Sequence, residues 1–305
     1  MPTKVVFLLV PKVHLLDLAG PAQAFSTAND LGCGYDLYYV AEVDEIVTAQ
    51  GVPIKAQREW PDLGPADLIV VPGWRSPKLS PHTPIGAATK ERLRSHHAAG
   101  GRVASVCSGA DALGAAGLLD GRRYTTHHDL TDELAARYPK ASIVRDVLYV
   151  VDDRVITSAG IASGIDLALH LIAIERGAEA AARVAREMVV YARRNGDELQ
   201  ESAMLRHRGH LNDLAHRVQD VIDGRYAEQL RLSDLADGIG VSERTLTRVF
   251  SRATGLTPLR YQQLLRLERA EHLIGHGATI EAAARVVGFE DARMLRRLRS
   301  RPIAG

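Results

Sequence analysis

Two copies of one pattern stand forty-eight residues apart, and that repeat constrains the fold more than any other feature of the chain. In "RLSDLADGIGVSERTLTRVFSRATG", Leu232, Leu235, Ala236 and Ile239 fall at i, i+3, i+4 and i+7, and Gly240 then breaks the helix. Ser242 is placed to cap a second helix whose apolar side is Leu246, Val249, Phe250 and Ala253. Ile280, Ala283, Ala284, Val287 and Gly288 repeat the first set position for position, and "EDARMLRRLRS" follows as the second helix of the second copy. Between the copies, "TPLRYQQLLRLERAEHLI" reads as one long helix with Thr257 as cap and Pro258 at its first position. The expectation is two helix-turn-helix units on a rigid spacer.

The polar faces of these helices suggest what they meet. The first presents Arg244, Thr247, Arg248 and Ser251 opposite its apolar side, with Ser242 and Thr245 at its start, and the second presents Arg293, Arg296 and Arg297. Arginine can read guanine edges in a major groove while hydroxyls position on phosphate. Heads held at a fixed separation suit successive grooves roughly 34 Å apart. Charge agrees: residues 206–305 carry 17 arginines against 12 carboxylates, whereas residues 1–205 carry 21 basic against 25 acidic side chains.

Upstream the pattern changes. "KVVFLLV" (4–10), "YDLYYVAE" (35–42), "ADLIVVPG" (66–73) and "RVASV" (102–106) are short apolar runs alternating with helical stretches, which predicts an α/β domain on a mainly parallel sheet. "RDVLYVVDDRVITSAG" (145–160) predicts a hairpin through Asp152-Asp153, and a helix runs from Ser163 to Gly177. The β signals stop after about residue 190, which gives domains at 1–190 and 221–305 with a linker at 191–220. No apolar run is long enough to span a bilayer and the first residues do not read as a secretory signal, so a cytoplasmic protein without membrane contact is expected. Cys33 and Cys107 lack CxxC spacing, which argues against a disulfide framework or a structural zinc site. His96-His97 and the pair His207 and His210 read as solvated surface residues; no metal or cofactor is expected.

Cys107, in "ASVCSGADALG", falls on the turn between a buried strand and a helix, where a nucleophile would be mounted. Two readings stay open for it. As a nucleophile it needs a thiolate and backbone amides, near Ser108 and Gly73, to hold an oxyanion. As a sensor it lines a small-molecule or redox pocket with Asp17 and Ser108.

Two resemblances narrow this. "LADGIGVSERTLTRVFSRATGLTPLRYQQLLRLERAEHLI" with "TIEAAARVVGFEDARMLRRLR" resembles the DNA-binding domain of the AraC/XylS regulators over residues 225–299. Arg299 replaces the aromatic residue usual late in the second reading helix, which implies looser packing there. "LLDLAGPAQAF", "VVPG", "VCSGADALGAAGLLDGRRYTTHHDL" and "TSAGIASGIDLALHLI" resemble the PfpI-like branch of the class I glutamine amidotransferase superfold over residues 4–190, implying a flavodoxin-like α/β sandwich. In that family Cys107, Asp17 and His127 match the elbow cysteine, the acidic residue after the first strand and the histidine of the "TTH" motif. Together the halves are similar to the GlxA-type regulators. That resemblance implies a double-stranded DNA operator, a small-molecule effector held near Asp17, Gly73, Cys107, Ser108 and His127, and a homodimer. The stretch around Ala178–Tyr191 is the candidate self-association surface. The competing expectation is a cysteine enzyme of the amidase, hydratase or deglycase type.

Overall fold

The computed structural model describes residues 2–75, 82–190, 194–198, 200, 206–275 and 277–300. It divides into two compact units, Met1–Gln200 and Glu201–Gly305.

The first unit is built on a six-stranded sheet. In chain order its elements are β1 (Thr3–Leu8), α1 (Leu15–Asp30), β2 (Tyr35–Val40), β3 (Glu45–Val47), β4 (Pro53–Lys55), β5 (Leu68–Val71), α2 (Ala87–Ala98), β6 (Arg102–Val106) and α3 (Ala110–Ala115). β7 (Arg123–Tyr124), α4 (Thr131–Arg137), β8 (Ser142–Ile143), β9 (Tyr149–Asp152), β10 (Val155–Ser158), α5 (Ser163–Arg176) and α6 (Ala178–Glu187) follow. The sheet order is β2-β1-β5-β6-β10-β9, parallel except for the β9–β10 hairpin, which turns at Asp153 with φ +55°. The central strands β5 and β6 are apolar on both faces, as strands covered by helices on both sides must be. One core, under α1 and α5, includes Phe7, Phe25 and Leu169; the other, under α2 and α3, includes Ile69, Leu93 and Leu113. The unit is thus the expected flavodoxin-like sandwich.

Three local expectations change. Ser163 opens α5, but its hydroxyl accepts from the Gly160 amide (2.8 Å) and donates to the Gly160 carbonyl (3.0 Å), bracing the preceding turn. His96 is buried, with Nε2 3.2 Å from the Asp67 carbonyl, so it is a packing residue instead of a solvated one. The stretch read as linker is shared between the units. Arg194 reaches back to Asp166 on α5 (Nη2–Oδ2 2.6 Å) and Gln200 to the Thr126 and Val147 carbonyls (2.9 and 3.1 Å), while a helix of the second unit already starts at Asp213. Of the candidate self-association stretch, α6 turns Ala181 and Val184 inward; Tyr191 lies outside the described residues.

The second unit is helical: α7 (Asp213–Gly224), α8 (Leu232–Ile239), α9 (Glu243–Thr254), α10 (Pro258–Gly275), α11 (Ile280–Val286) and α12 (Ala292–Arg299). α8–α9 and α11–α12 are the two helix-turn-helix pairs. Gly240 and Gly288 occupy the same place in each turn and both have φ +80°, a left-handed conformation that glycine adopts without a side-chain penalty. Gly288 is fixed twice over, because a Cβ there would stand 1.8 Å from the Ala227 carbonyl oxygen. Each pair has its own core, around Leu246 and Phe250 in the first and Val287 and Leu295 in the second. The spacer α10, 18 residues long, spans about 27 Å at 1.5 Å per residue.

Candidate functional site

The elbow gathers four of the five residues proposed for the ligand. β6 ends at Val106, Cys107 takes φ +56°, and a short 3₁₀ turn over Cys107–Gly109 leads into α3. Only small residues permit this approach. A Cβ on Gly109 would lie 2.0 Å from the Val71 carbonyl oxygen, and one on Gly73 would lie 2.5 Å from Asp17 Oδ2 and 2.7 Å from Cys107 Cβ. Gly160, at φ +121°, packs on Cys107 from the other side. Asp17, Gly73, Cys107 and Ser108 therefore share one small volume.

Asp17 is fully buried in the first turn of α1. Its Oδ1 accepts from the Ile161 amide (2.8 Å), while Oδ2 has no hydrogen bond of normal geometry, with the Gly73 amide and Cys107 thiol as its weaker polar neighbours. Burial raises the Asp17 carboxyl above its ordinary range. The Cys107 thiol is pushed up as well, by burial first and by Asp17 second, against a weaker opposing pull from the Ser108 amide. A thiol so placed keeps its proton at neutral pH. Cys107 and Ile161, at φ +46°, are both non-glycine residues in the left-handed region, each costing about 1–3 kcal/mol that the surrounding contacts must offset.

Ser108 also braces the backbone beside the elbow. Its hydroxyl accepts from the Trp74 amide (2.7 Å) and donates to the Trp74 carbonyl (3.0 Å), clamping the segment that follows β5. His127 belongs to the neighbouring loop, which Thr126 ties to the elbow by donating to the Cys107 carbonyl (2.9 Å). His127 Nδ1 accepts from the Asp129 amide (3.3 Å) and its ring lies against His128 at 4.1 Å. Burial, with His128 beside it, lowers its pKa and favours the neutral ring. His127, His128 and Asp129 bring three donor atoms within 4.8 Å of one another, a grouping that spacing had not singled out. The sequence reading also missed Ile161, Gly160 and Thr126, although the first two lie in the quoted "TSAGIASG".

In the second unit the first reading helix starts as expected: Ser242 Oγ accepts from the Thr245 amide (3.2 Å) and meets the Thr245 hydroxyl at 2.9 Å. Those two hydroxyls build the helix start. Arg244 and Arg248 are exposed, whereas Thr247 is half-buried and lines a 310 Å³ apolar cleft with Leu230, Leu235 and Pro258. Arg293, Arg296 and Arg297 are exposed on α12 beside buried Leu295 and Leu298. Arg299, in place of an aromatic residue, sets its Nε 2.8 Å from Glu271 Oε1, an exposed pair between α12 and α10. His207 and His210 are half-buried, with His207 Nδ1 3.2 Å from the Thr254 carbonyl and the His210 ring tilted against His216 at 4.5 Å.

One residue the sequence reading passed over joins the heads. Arg266, on α10, is buried and donates to the carbonyls of Tyr226 (2.6 Å), Glu228 (2.7 Å) and Gly288 (2.8 Å) while lying over the Phe289 ring. It thus locks the turn of the second helix-turn-helix pair to the segment that enters the first pair.

A strained cysteine elbow on a flavodoxin-like sandwich, followed by paired helix-turn-helix units with outward arginines, defines an AraC-type regulator architecture built on an amidotransferase-like domain. The chain belongs to the DJ-1/PfpI family, whose model matches residues 3–174, and a helix-turn-helix domain model matches residues 235–301. It is 28% identical to the HTH-type transcriptional regulator GbdR of Pseudomonas aeruginosa over 94% of this chain and 78% of that protein. It is 34% identical to isonitrile hydratase of Pseudomonas putida over 56% of this chain and 71% of that one. A solved AraC family transcriptional regulator from Pseudomonas putida shares the fold, with a TM-score of 0.52 at 23% identity over 61% of this chain and all of that one. Among the described residues no helix is long and apolar enough to cross a membrane.

Proposed function

We propose that this chain is a sequence-specific DNA-binding transcription regulator acting as a homodimer in the cytoplasm, with a small-molecule effector held at the Asp17–Cys107 elbow. The observation that carries the reading is the duplicated reading head: two helices with outward arginines, each set by an identical glycine turn and joined through α10 and Arg266. A paired protein would place matching heads on two half-sites, gaining affinity from simultaneous contact. At the elbow, a buried thiol pressed between Gly73, Gly160 and Asp17, and pushed up by burial and by Asp17, suits holding a ligand better than attacking one. Cysteine-dependent turnover is the second reading, favoured by the strained φ of Cys107 and by the similarity to a hydratase.

Selection of random duplex DNA with the full-length protein, followed by titration of the selected duplex at fixed salt, tests the proposal. Two spaced half-motifs bound far above random DNA are expected. Binding indifferent to sequence would overturn the regulator reading and make a substrate screen with Cys107→Ser as control the next step. Cys107→Ser is expected to leave ligand-free operator affinity unchanged, because the thiol belongs to the α/β unit and the readers to the other.

A further inference from the structure

The two reading heads repeat in backbone but not in how their arginines are engaged. On α9, Arg244 and Arg248 stand one turn apart and exposed, and among the described residues neither has a hydrogen-bond or ion-pair partner. On α12, acids from three elements surround the arginines. Arg293 Nε lies 3.3 Å from Asp291 Oδ2 at the helix start, Arg296 is ion-paired with Glu281 of α11, and Arg299 is held by Glu271 of α10. Arg297 donates to the Met294 sulfur at 3.1 Å.

Exposed ion pairs are weak, so the α12 arginines are not barred from DNA. The carboxylates nevertheless stay beside whatever phosphate or guanine edge those arginines approach, and repel or compete with it. Without these acids, a helix with four arginines in eight residues would hold any phosphate backbone strongly and add little discrimination. α9 carries its three arginines over twelve residues, with Arg252 two turns from Arg244 in the last turn, so its positive charge is less dense than that of α12 and calls for less restraint.

Resting on the regulator reading, we propose that the heads divide the work: Arg244 and Arg248 supply most of the sequence discrimination, and Glu281 and Asp291 are specificity-determining residues that temper the second head's grip on non-cognate DNA.

The test uses full-length protein, the selected operator and a scrambled duplex of equal length. Glu281→Gln keeps the side-chain shape, and Asp291→Asn keeps a capping oxygen for the Arg293 amide, which Asp291 now holds at 2.8 Å. Each variant is expected to bind the scrambled duplex several-fold more tightly, to steepen the salt dependence by about one released counterion, and to lower the operator-to-scrambled ratio. Arg248→Ala should lower that ratio roughly tenfold or more, and Arg296→Ala should weaken both duplexes more evenly. An unchanged scrambled affinity and salt slope in Glu281→Gln, or a loss of discrimination in Arg296→Ala equal to that in Arg248→Ala, overturns the proposal while leaving the regulator reading intact. A wild-type protein that selects no site overturns both.

Discussion

Cys107 is 8% exposed, in a strained conformation, and pressed between Gly73, Gly160 and Asp17; Arg248 projects into solvent from a regular helix whose apolar side does the packing. The first arrangement needs long-range backbone contacts to exist at all. The second needs only a helix with the right period and a turn that lets it stand clear of its neighbour. Strain and burial coincide at the elbow, and the outward arginines of the reading heads are exposed.

The largest expected effect tests whether the elbow depends on its packing as the contrast implies. Gly109→Ala forces a Cβ to within 2.0 Å of a backbone oxygen that cannot rotate away, and should destabilise the first unit by about 3 kcal/mol or more. Both tryptophans, Trp60 and Trp74, lie in that unit, so tryptophan fluorescence during denaturant unfolding follows it alone. An unshifted fluorescence midpoint would mean the close approach at Gly109 is not essential. Next in size, Arg248→Ala should leave both unfolding transitions in place and cost roughly 1–3 kcal/mol on the selected operator. Unchanged operator affinity would remove Arg248 from the reading face.

The same contrast explains what was legible beforehand. Periodicity placed α8, α9, α11 and α12 within a residue or two, and Gly240 and Gly288 marked both turns, because helix packing repeats locally. The strand-to-turn junction at Val106–Cys107 was equally visible. The partners of Asp17 were not: the Ile161 amide lies 144 residues away in sequence, and no local pattern records such a contact. The clamp by Arg266 was hidden for a related reason, since a buried arginine bonded to carbonyls looks in sequence like one more charge on a helix. Compositional boundaries failed similarly at Arg194 and Gln200, where side-chain hydrogen bonds without periodicity extend the first unit past the last strand signal. Thr247 was assigned to DNA and Ser108 to a ligand by residue type and neighbourhood; the half-burial of one beside an apolar cleft and the bonds of the other to Trp74 were not legible.

A smaller effect sharpens the electrostatic side of the elbow. Asp17→Asn removes a negative charge beside a thiol that burial and Asp17 together push up. In a Cys33→Ser background, the midpoint of the pH profile for alkylation of Cys107 should therefore move down, though burial still holds it above the ordinary thiol value. The stability change has a definite sign. A carboxyl raised by burial above its unfolded value of 3.8 contributes stability that is lost as pH rises through its folded pKa, so Asp17→Asn should stabilise the first unit at neutral pH and lose that advantage in acid. An alkylation midpoint that stays put or rises would sink this account of the pair.

The smallest effect separates building a reading helix from reading with it. Ser242 accepts from the Thr245 amide and meets its hydroxyl, so its oxygens are engaged within the helix start. Ser242→Ala should lower the stability of the second unit by about 1 kcal/mol, followed by helical circular dichroism, without moving the tryptophan transition of the first. Ser242→Asn offers an equivalent capping oxygen on a differently shaped side chain, and should restore both stability and operator affinity if capping is the residue's role. Recovery of stability without recovery of affinity would show the hydroxyl itself meets DNA, making the start of α9 a contact in its own right and not only the support from which Arg244 and Arg248 project.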